Sequence, residues 1–280
     1  MAHFNTTFLM AAALLAGGVA VSAAILRMLT AAGAVAAFII GFLTFGLGGA
    51  PFAIPLLTFF ISSSLLSQIG KARKAGQNSR YEKSSVRDAG QVLANGAVPA
   101  ALAVVFAFSA YSRQTYLLYL AALAAVNADT WATEIGGMSS ARPWLVTTFR
   151  KVDPGTSGAV SIAGLAAAMA GALVIAASAW FAWPAGSKLL LWKIDAPEII
   201  CVGWAGFVAA YADSVFGATV QAQYKCIRCS ALVERTEHCG LKTKLVRGWP
   251  WINNDVVNFA AGVAGVGFGW VLLQFFAYPL

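Results

Sequence analysis

Four acidic residues interrupt segments of this sequence that are otherwise apolar: Asp129, Glu134, Asp213 and Asp255. Each lies inside or at the end of a segment long enough to cross a bilayer, where a charge costs at least ~2.5 kcal/mol. Acids retained at that cost usually line a functional cavity. Because Mg²⁺ is held in proteins by one or two carboxylates together with substrate phosphates, the four acids predict a Mg²⁺ site inside a membrane domain.

Amides and one arginine accompany the acids. Arg87, Gln91 and Asn95 are spaced i, i+4, i+8 and would form one polar stripe along a helix. Such a stripe can simply bond neighbouring helices, but its arginine favours an anion. Asn254, Asp255 and Asn258 fall in one sector of a helix start, where a single residue would suffice as a cap. The candidate polar contacts to a phosphate or nucleotide are Gln91, Asn95, Asn127, Gln221, Asn254 and Asn258.

A glycine-containing turn is a candidate phosphate loop. Residues 153–158 read Asp-Pro-Gly-Thr-Ser-Gly, and Ser161 follows one helical turn later. Glycine lets backbone amides approach a ligand, and the first turn of a helix offers unpaired N–H groups and a positive dipole end. Gly155, Thr156, Ser157 and Ser161 are therefore candidate phosphate contacts, although a Ser/Thr helix cap after a turn explains the pattern equally well. The order Gly-Lys-Ser/Thr of the Walker loop is absent from this turn.

A second group of potential ligands lies in the loop 222–252. Cys226 and Cys229 form a C-x-x-C pair, and His238 and Cys239 follow nine residues later. These side chains could bind a structural Zn²⁺, although adjacent ligands are unusual; ordinary reduced thiols are the alternative. Neither of the two histidines lies in an apolar segment, so no Ser–His pair is available there for acyl transfer. Phosphoryl transfer fits the polar residues better.

Transmembrane helices must position these residues. Of 280 residues, 59% are hydrophobic and 11% are charged, whereas about 25% are charged in ordinary soluble domains. Apolar runs of about 20 residues predict an all-α polytopic bundle, a single membrane domain over 1–280. Pro51 and Pro55 could kink one long segment instead of separating two, which leaves seven spans as an alternative to eight. The predicted spans are 7–26, 31–50, 52–70, 89–110, 115–138, 157–183, 198–221 and 253–278.

Basic residues predict how the bundle is oriented. Most of the 19 lysines and arginines fall in the loops 71–88, 139–156 and 222–252, and basic loops remain cytoplasmic. The polar site is therefore expected on the cytoplasmic side of a bacterial inner or organellar membrane, with the loop 222–252 as an interfacial lid and both termini opposite. The net charge of +8 suits anionic lipids or substrates rather than nucleic acid. The first residues lack a basic n-region, so no targeting segment is expected.

Five ordered motifs resemble one membrane protein family over nearly the whole chain. They are QVLANG, ADTWATEIG, PGTSG-x-x-S, ADS-x-x-GAT-x-Q and NND-x-x-N. The set is similar to the integral membrane family that includes plant phytyl-phosphate kinase and transmembrane protein 19. More distantly, it resembles the CTP-dependent polyprenol and dolichol kinases and the phosphatidate cytidylyltransferases.

The resemblance implies a multipass phosphotransferase. It would move a phosphoryl group from a nucleoside triphosphate, with CTP the expected donor, to an isoprenyl monophosphate such as phytyl phosphate, a step of tocopherol biosynthesis. We expect Asp129, Asp213 and Asp255, with Glu134, to hold Mg²⁺ for this chemistry. Arg87 and the turn 155–157 would bind phosphate, and the amides would position phosphate or nucleotide. The prenyl tail would lie among the apolar spans.

Two other functions use similar residues. A lipid cytidylyltransferase would share the CTP and the metal but release pyrophosphate. A transporter would also place acids at membrane depth, within repeated hairpins. The first three predicted spans contain no acidic residue to continue a path across the membrane, which counts against transport.

Overall fold

The computed structural model describes residues 6–70, 86–109, 113–186 and 194–277. These residues form a helical bundle, which confirms the predicted all-α membrane fold. Most helices begin and end within a few residues of the predicted spans, but the fifth begins at Ile162 rather than at 157. The helices are α1 Thr6–Ile25, α2 Ala31–Gly70, α3 Ala89–Phe108, α4 Arg113–Met138, α5 Ile162–Gly186, α6 Ala196–Thr219 and α7 Asn254–Leu272, the last followed by a π-helical turn, Leu273–Ala277.

The long helix α2 folds back on itself. A straight 40-residue helix would be about 60 Å long, twice the ~30 Å hydrocarbon core. Gly49 interrupts it with φ 64° and ψ −159°, a conformation that glycine tolerates and other residues do not. Gly33, before the break, lies against the backbone of Arg87, and Ser67, after it, lines the same cavity as Arg87. The two halves therefore run in opposite directions, and the eight resulting helical segments correspond to the eight predicted spans.

Tyrosines compensate for the prolines beside this break. Pro55 has no N–H to donate to the carbonyl of Pro51, four residues earlier, and an unpaired carbonyl is costly in a membrane. The Tyr116 hydroxyl donates to that carbonyl at 3.0 Å, and the Tyr119 hydroxyl donates to the Phe52 carbonyl at 2.6 Å. Both tyrosines belong to α4, so α4 holds the turn of α2 in place.

Helix α4 is the centre of the bundle. It packs against α2, α3, α5, α6 and α7, and its residues from 115 to 128 are buried apart from Leu118. Small residues permit this close packing, because an added Cβ at Gly206 or Gly265 would meet α4 atoms at 2.7 to 2.9 Å. Six of the described helices are long and apolar enough to cross a membrane, and α4, which carries Asp129 and Glu134, is not among them. Its polar residues face other helices rather than lipid.

Two connections at the end of the bundle near Arg87 contain short strands. The connection after α4 forms β1 Trp144–Leu145 and β2 Ala159–Val160, which pair antiparallel. The connection after α6, residues 222–252, is called the cap below. Its strands pair in the orders β4-β3-β7 and β5-β6. They are β3 Gln223–Lys225, β4 Leu232–Val233, β5 Glu237–His238, β6 Leu241–Lys242 and β7 Lys244–Arg247.

The cap also carries exposed tryptophans. The rings of Trp249 and Trp251 stack with centroids 5.7 Å apart, and both side chains are exposed. Tryptophan at that position is typical of a membrane–water interface. The interfacial lid and the cytoplasmic assignment of this end both stay predictions. The basic residues predicted at 71–83 lie outside the described residues.

Candidate functional site

A polar cavity opens beside the cap. It lies at the N-terminal ends of α3, α5 and α7 and at the C-terminal ends of α4 and α6. Its volume is ≈ 320 Å³, within the ~300–1,000 Å³ typical of small-molecule sites. It contains most of the residues singled out from the sequence, which come from five separate segments of the chain. The predicted residues that line it are Arg87, Gln91, Asn95, Asp129, Glu134, Gly155, Thr156, Ser157, Ser161, Asp213, Gln221, Asn254 and Asn258.

Arg87 supplies a positive charge to the cavity wall. Its backbone is fixed by the α1–α2 connection, because its N–H donates to the Met28 carbonyl and its carbonyl accepts from the Thr30 N–H, both at 3.0 Å. Its guanidinium carbon lies 5.9 Å from the centre of the Phe59 ring and is attracted by the Glu134 carboxylate. The arginine is therefore anchored at its backbone and held between an aromatic ring and an acid.

Glu134 reaches the cavity, although its helical face differs from that of Asp129. Its Oε1 accepts a hydrogen bond from Ser67 Oγ at 2.8 Å, so the returning half of α2 holds it. Both α4 acids line the cavity because α4 ends inside it. Gly136 lies so close to Gly164 of α5 that an added Cβ would approach the Gly164 Cα to 3.2 Å. The glycine brings the ends of α4 and α5 together around the acids.

Asp213 is the most enclosed acid of the site. Its side chain is buried, and its Oδ2 has no hydrogen-bond partner among the described residues. It lies near enough to Asp129 and Glu234 for the negative charges to repel. Carboxylates held together in this way need a cation or a proton between them. Their oxygen ligands fit Mg²⁺, which also takes ligands from substrate phosphates and water.

The predicted phosphate loop packs against the end of α6. Gly155 and Gly158 have positive φ of 82° and 77°, and a Cβ on Gly158 would lie 2.4 Å from the Ala218 nitrogen. Only glycine fits this close approach. Ser161 Oγ accepts from the Gly164 N–H at 3.1 Å and thereby caps α5. The turn thus combines both interpretations, because Ser161 caps the helix while all four predicted loop residues line the cavity.

Glu234 is a site residue that the sequence did not reveal. It follows β4 in the cap, and its Oε1 accepts from Ser157 Oγ at 2.7 Å and from Gln221 Nε2 at 3.1 Å. Arg247 of β7 adds a second link, since its guanidinium donates to the carbonyls of Gly217 at 2.9 Å and Ser157 at 3.3 Å. The cap is therefore attached directly to the phosphate loop. Its acid stands 77 residues from Ser157 in sequence, so no local pattern could have identified it.

Two predicted site residues are placed elsewhere. Asn127 is fully buried between helices, where its Nδ2 donates to the Gly171 carbonyl at 2.8 Å and its Oδ1 accepts from Ser62 Oγ at 3.3 Å. It does not line the cavity, and it bonds helices instead of a substrate. Asp255 is not among the residues that line the cavity, although its neighbours Asn254 and Asn258 are, so its role as a Mg²⁺ ligand stays a prediction. It lies in the first turn of α7, where a negative charge is favourable to the helix dipole.

Capping explains the roles of the neighbouring amides. Asn253 caps α7, because its Oδ1 accepts from the Val256 N–H at 3.1 Å, so Asn254 and Asn258 are not needed for that task. Asn258 Oδ1 is buried without a hydrogen-bond partner among the described residues. Gln91 is partly committed to a cap, since its Oε1 accepts from the Asp88 N–H at 3.1 Å. Of these amides, Asn258 has the acceptor oxygen best placed for a ligand.

Among the described residues, one group of three or more acidic, histidine or cysteine side chains brings its ligand atoms together. It consists of Cys226, Cys229, His238 and Cys239, whose ligand atoms all lie within 4.8 Å of one another. The backbone amide of Cys229, with the His238 side chain, lowers the pKa of Cys226 to about 6. The four acids predicted for Mg²⁺ do not form such a closed group, so a metal there would depend on substrate oxygens as well.

A bundle of membrane-length helices with a polar cavity at one end defines a multipass membrane protein with a small-molecule site. The chain belongs to the family described as integral membrane protein DUF92, whose model matches residues 14–266. The predicted family resemblance is thereby confirmed. No solved structure matches this chain.

Similar proteins include two from a plant and one from an archaeon. Protein PGR of Arabidopsis thaliana is 27% identical over 219 residues, covering 72% of this chain and 74% of the relative. An uncharacterized membrane protein of Methanocaldococcus jannaschii is 32% identical over 160 residues, 57% of this chain and 60% of its own. Protein VTE6, chloroplastic, of Arabidopsis thaliana is 24% identical over 203 residues, 71% of this chain but 51% of its own. The chain thus spans about half the length of that last relative.

Proposed function

We propose that this protein is a membrane kinase that phosphorylates an isoprenyl monophosphate. The donor would be a nucleoside triphosphate, with CTP expected from the family resemblance, and phytyl phosphate would be one acceptor. An acceptor oxygen attacks the γ-phosphorus, the bond between that phosphorus and the β–γ bridging oxygen breaks, and the nucleoside diphosphate leaves with the bridging oxygen. The product is an isoprenyl diphosphate.

The observation that carries this proposal is a second, apolar groove that adjoins the polar cavity. The groove lies among α1, α2 and α3, and its volume is ≈ 80 Å³. It shares Arg87, Gln91 and Asn95 with the cavity, so one wall serves both. Its remaining lining is apolar, including Ile40 and Phe60. A molecule with an anionic head and a hydrocarbon tail fits this junction, with its phosphate at Arg87 and the first part of its chain in the groove.

The residues of the cavity suit a reaction that needs no general base. An isoprenyl phosphate is already an anionic nucleophile, so the protein must bring two highly charged phosphates together and in line. The cavity wall offers Arg87 together with the acids Asp129, Glu134, Asp213 and Glu234. Bound Mg²⁺ would supply the additional positive charge that neutralises the phosphates. Asp213 and Asp129 are the carboxylates we assign to it.

The phosphate loop would orient the donor. Gly155 and Gly158 give the turn its positive φ angles, and the turn leads from the cavity wall into the N-terminus of α5, whose N–H groups would face the phosphate oxygens. Glu234 accepts a hydrogen bond from the Ser157 hydroxyl and so fixes that side chain. Asn258 offers an acceptor oxygen to the nucleotide. These assignments give the cavity one cationic side, at Arg87, and one amide-rich side, at the loop.

The far end of the described bundle argues against a transport path. Phe52, Phe106, Tyr116 and Tyr119 pack there into one buried cluster, with Phe52 centroids 4.5 to 4.8 Å from the other three rings. The two tyrosine hydroxyls donate to carbonyls of α2 and do not form a polar path. None of the four rings lines the cavity. In the described part of the chain they fill the opposite end of the bundle, which supports a one-sided enzyme site over a transport path.

One assay distinguishes the three functions. Purified protein in detergent receives phytyl phosphate, Mg²⁺ and CTP labelled on the γ-phosphate, and the products are separated and identified. Labelled phytyl diphosphate together with CDP is the expected result. A CDP-lipid with release of labelled pyrophosphate would assign the cytidylyltransferase instead. The kinase proposal is wrong if no lipid product forms with CTP, ATP, GTP or UTP and if adding Mg²⁺ makes no difference to that result.

A further inference from the structure

The cap contains a cluster of sulfur and nitrogen atoms that no part of the proposed reaction uses. Cys229 Sγ lies 3.8 Å from Cys239 Sγ and 3.5 Å from His238 Nδ1, and Cys239 Sγ lies 3.2 Å from the same nitrogen. Tetrahedral zinc with Zn–S bonds of about 2.3 Å and Zn–N bonds of about 2.0 Å separates two sulfurs by about 3.8 Å, and a sulfur from a nitrogen by about 3.5 Å. The spacing of these three side chains is therefore close to that of zinc ligands, and the Cys226 sulfur lies within 4.8 Å of each of them.

The backbone is shaped to direct adjacent residues to one point. His238 and Cys239 are neighbours in sequence, an unusual arrangement for two ligands of one ion. Cys239 has a positive φ of 54°, a strained value for a residue with a side chain, and Gly240 follows with φ 73°. This turn brings both side chains to the same side. Ser230, directly after Cys229, has φ 58°, so both ligand pairs end in the same type of turn.

Hydrogen bonds to sulfur also suit a metal thiolate. The backbone amides of Arg228 and Cys229 donate to the Cys226 sulfur, and Cys226 is buried while Cys229 and Cys239 are exposed. An amide that points at sulfur stabilises a thiolate, the form that binds zinc. Three thiolates and one imidazole make a Cys₃His set, one of the common structural zinc sites.

We propose that Cys226, Cys229, His238 and Cys239 bind one structural Zn²⁺, and that this ion holds the cap so that Glu234 contacts the phosphate loop. The ligand pairs stand at the two ends of the segment 229–238. Within that segment, β4 pairs with β3 and Glu234 follows immediately, with Ser157 Oγ 2.7 Å from its carboxylate. Joining the two ends through a metal closes this short segment into a loop and removes conformations in which Glu234 would lie away from Ser157.

The zinc site does not depend on the kinase activity, because it is defined by ligand geometry alone. Its role in the reaction is that of a positioning element: none of the four ligands lines the cavity, and the ion acts through the Glu234–Ser157 contact. A failed kinase assay would therefore leave the zinc site intact. The metal content can be measured on protein that has never met a substrate.

The first test measures metal in the full-length protein, purified in detergent without chelators from cells grown with zinc. Wild-type protein should contain about one zinc per chain, and Cys229→Ser should lose at least nine-tenths of it. Cys201→Ser is the matched control, because Cys201 is buried in α6 and should retain the wild-type content. Equal zinc in both variants would overturn the site.

A second measurement keeps the proposal testable if Cys229→Ser fails to fold. Wild-type protein is stripped of metal under reducing conditions and given Co²⁺, which should produce thiolate-to-cobalt charge-transfer absorption and tetrahedral d–d bands. If metal-stripped protein shows none of these bands after Co²⁺ is added, the proposal is overturned. So would a native chain with two titratable thiols instead of four, because a Cys229–Cys239 disulfide would then explain the proximity of the sulfurs.

Hydrogen exchange tests the positioning role. Removing zinc should increase exchange by at least tenfold at the amides of β3 and β4 and also at residues 156–159 of the phosphate loop, while α4 is unchanged. Glu234→Gln should retain zinc but show the faster exchange in the loop even with the metal bound. If zinc removal accelerates exchange in the cap alone, the ion does not position Glu234.

Discussion

Asp213 is the carboxylate around which the cavity is arranged. Its buried Oδ2 has no hydrogen-bond partner among the described residues, and two further acids, Asp129 and Glu234, lie close enough to repel it. A buried charge without a partner is expensive, so such an arrangement is retained when a cation completes it. Arg87 is the cation of the cavity wall that attracts Glu134. At the level of single residues, the site therefore shows a need for positive charge, which a metal bound with the substrate would meet.

Asp213→Asn should impair the proposed kinase much more than Asp255→Asn. Removing a residue that only orients a metal ligand typically costs up to about 10²-fold in activity. Removing a metal ligand itself should therefore lower kcat/KM by at least on the order of 10²-fold. Asp255 lies outside the cavity, so its amide variant should stay within about threefold of wild type, with a small loss of helix stability. The measurement is kcat/KM for phytyl phosphate across a series of Mg²⁺ concentrations. Equal losses in both variants would restore Asp255 to the metal site.

Most of the described helices could be predicted from the sequence because they are long apolar runs, although α4 carries too many polar residues to count as one. Of the predicted polar stripe, Gln91 and Asn95 lie four residues apart on α3, as helical periodicity predicts. Arg87 precedes the Asp88 cap of that helix and is held instead by backbone bonds to Met28 and Thr30. Packing between helices determines which of the other predicted polar residues reach the cavity. Asn127 has the same residue type as a ligand but faces Gly171 and Ser62. A contact partner 44 or 65 residues away leaves no mark on the local sequence pattern.

The role of the cap also could not be fully predicted from the sequence, for a different reason. Its cysteines and histidine are recognisable by spacing, but Glu234 is one acid in a polar segment and looks like an ordinary surface residue. It becomes a site residue because the β4-β3-β7 sheet turns it toward Ser157. Strands of two to four residues, such as β4 and β7, have too little periodicity to predict.

Gly265→Ala should destabilise the bundle, whereas Gly267→Ala on the same helix should not. A Cβ at Gly265 would come within 2.9 Å of the Ala121 carbonyl oxygen and the Ala125 Cβ of α4, while one at Gly267 would meet nothing within 4 Å. Overpacking typically costs about 1–3 kcal/mol, and alanine at the open position gains up to about 1 kcal/mol of helix propensity. Thermal unfolding of both variants in one detergent measures the difference. Similar unfolding temperatures would mean that α7 does not pack on α4 as described.

The two ends of the described molecule differ. One end holds the polar cavity and the cap, and the other holds the aromatic cluster at Phe52 and the ion pair of Arg113 with the buried Glu198. Between them, the groove among α1, α2 and α3 leads from the outer helices to Arg87. In the proposed reaction, a water-soluble nucleotide would enter beside the cap while a lipid phosphate would enter from the side. Two substrates of opposite solubility can meet at one wall only if the site lies at the edge of the bundle, where this cavity is.

Filling the groove should separate recognition of the tail from recognition of the phosphate. Ala37 lines the groove, and Ala37→Trp should block it, so that kcat/KM for phytyl phosphate falls at least tenfold. A short acceptor such as dimethylallyl phosphate, which needs little of the groove, should retain its wild-type value. Val35→Trp is the control on the same half of α2, because Val35 is 61% exposed and faces away; both acceptors should be unaffected. If Ala37→Trp lowers kcat/KM for both acceptors equally, the groove does not bind the tail and the substitution acts on Arg87 or on the fold.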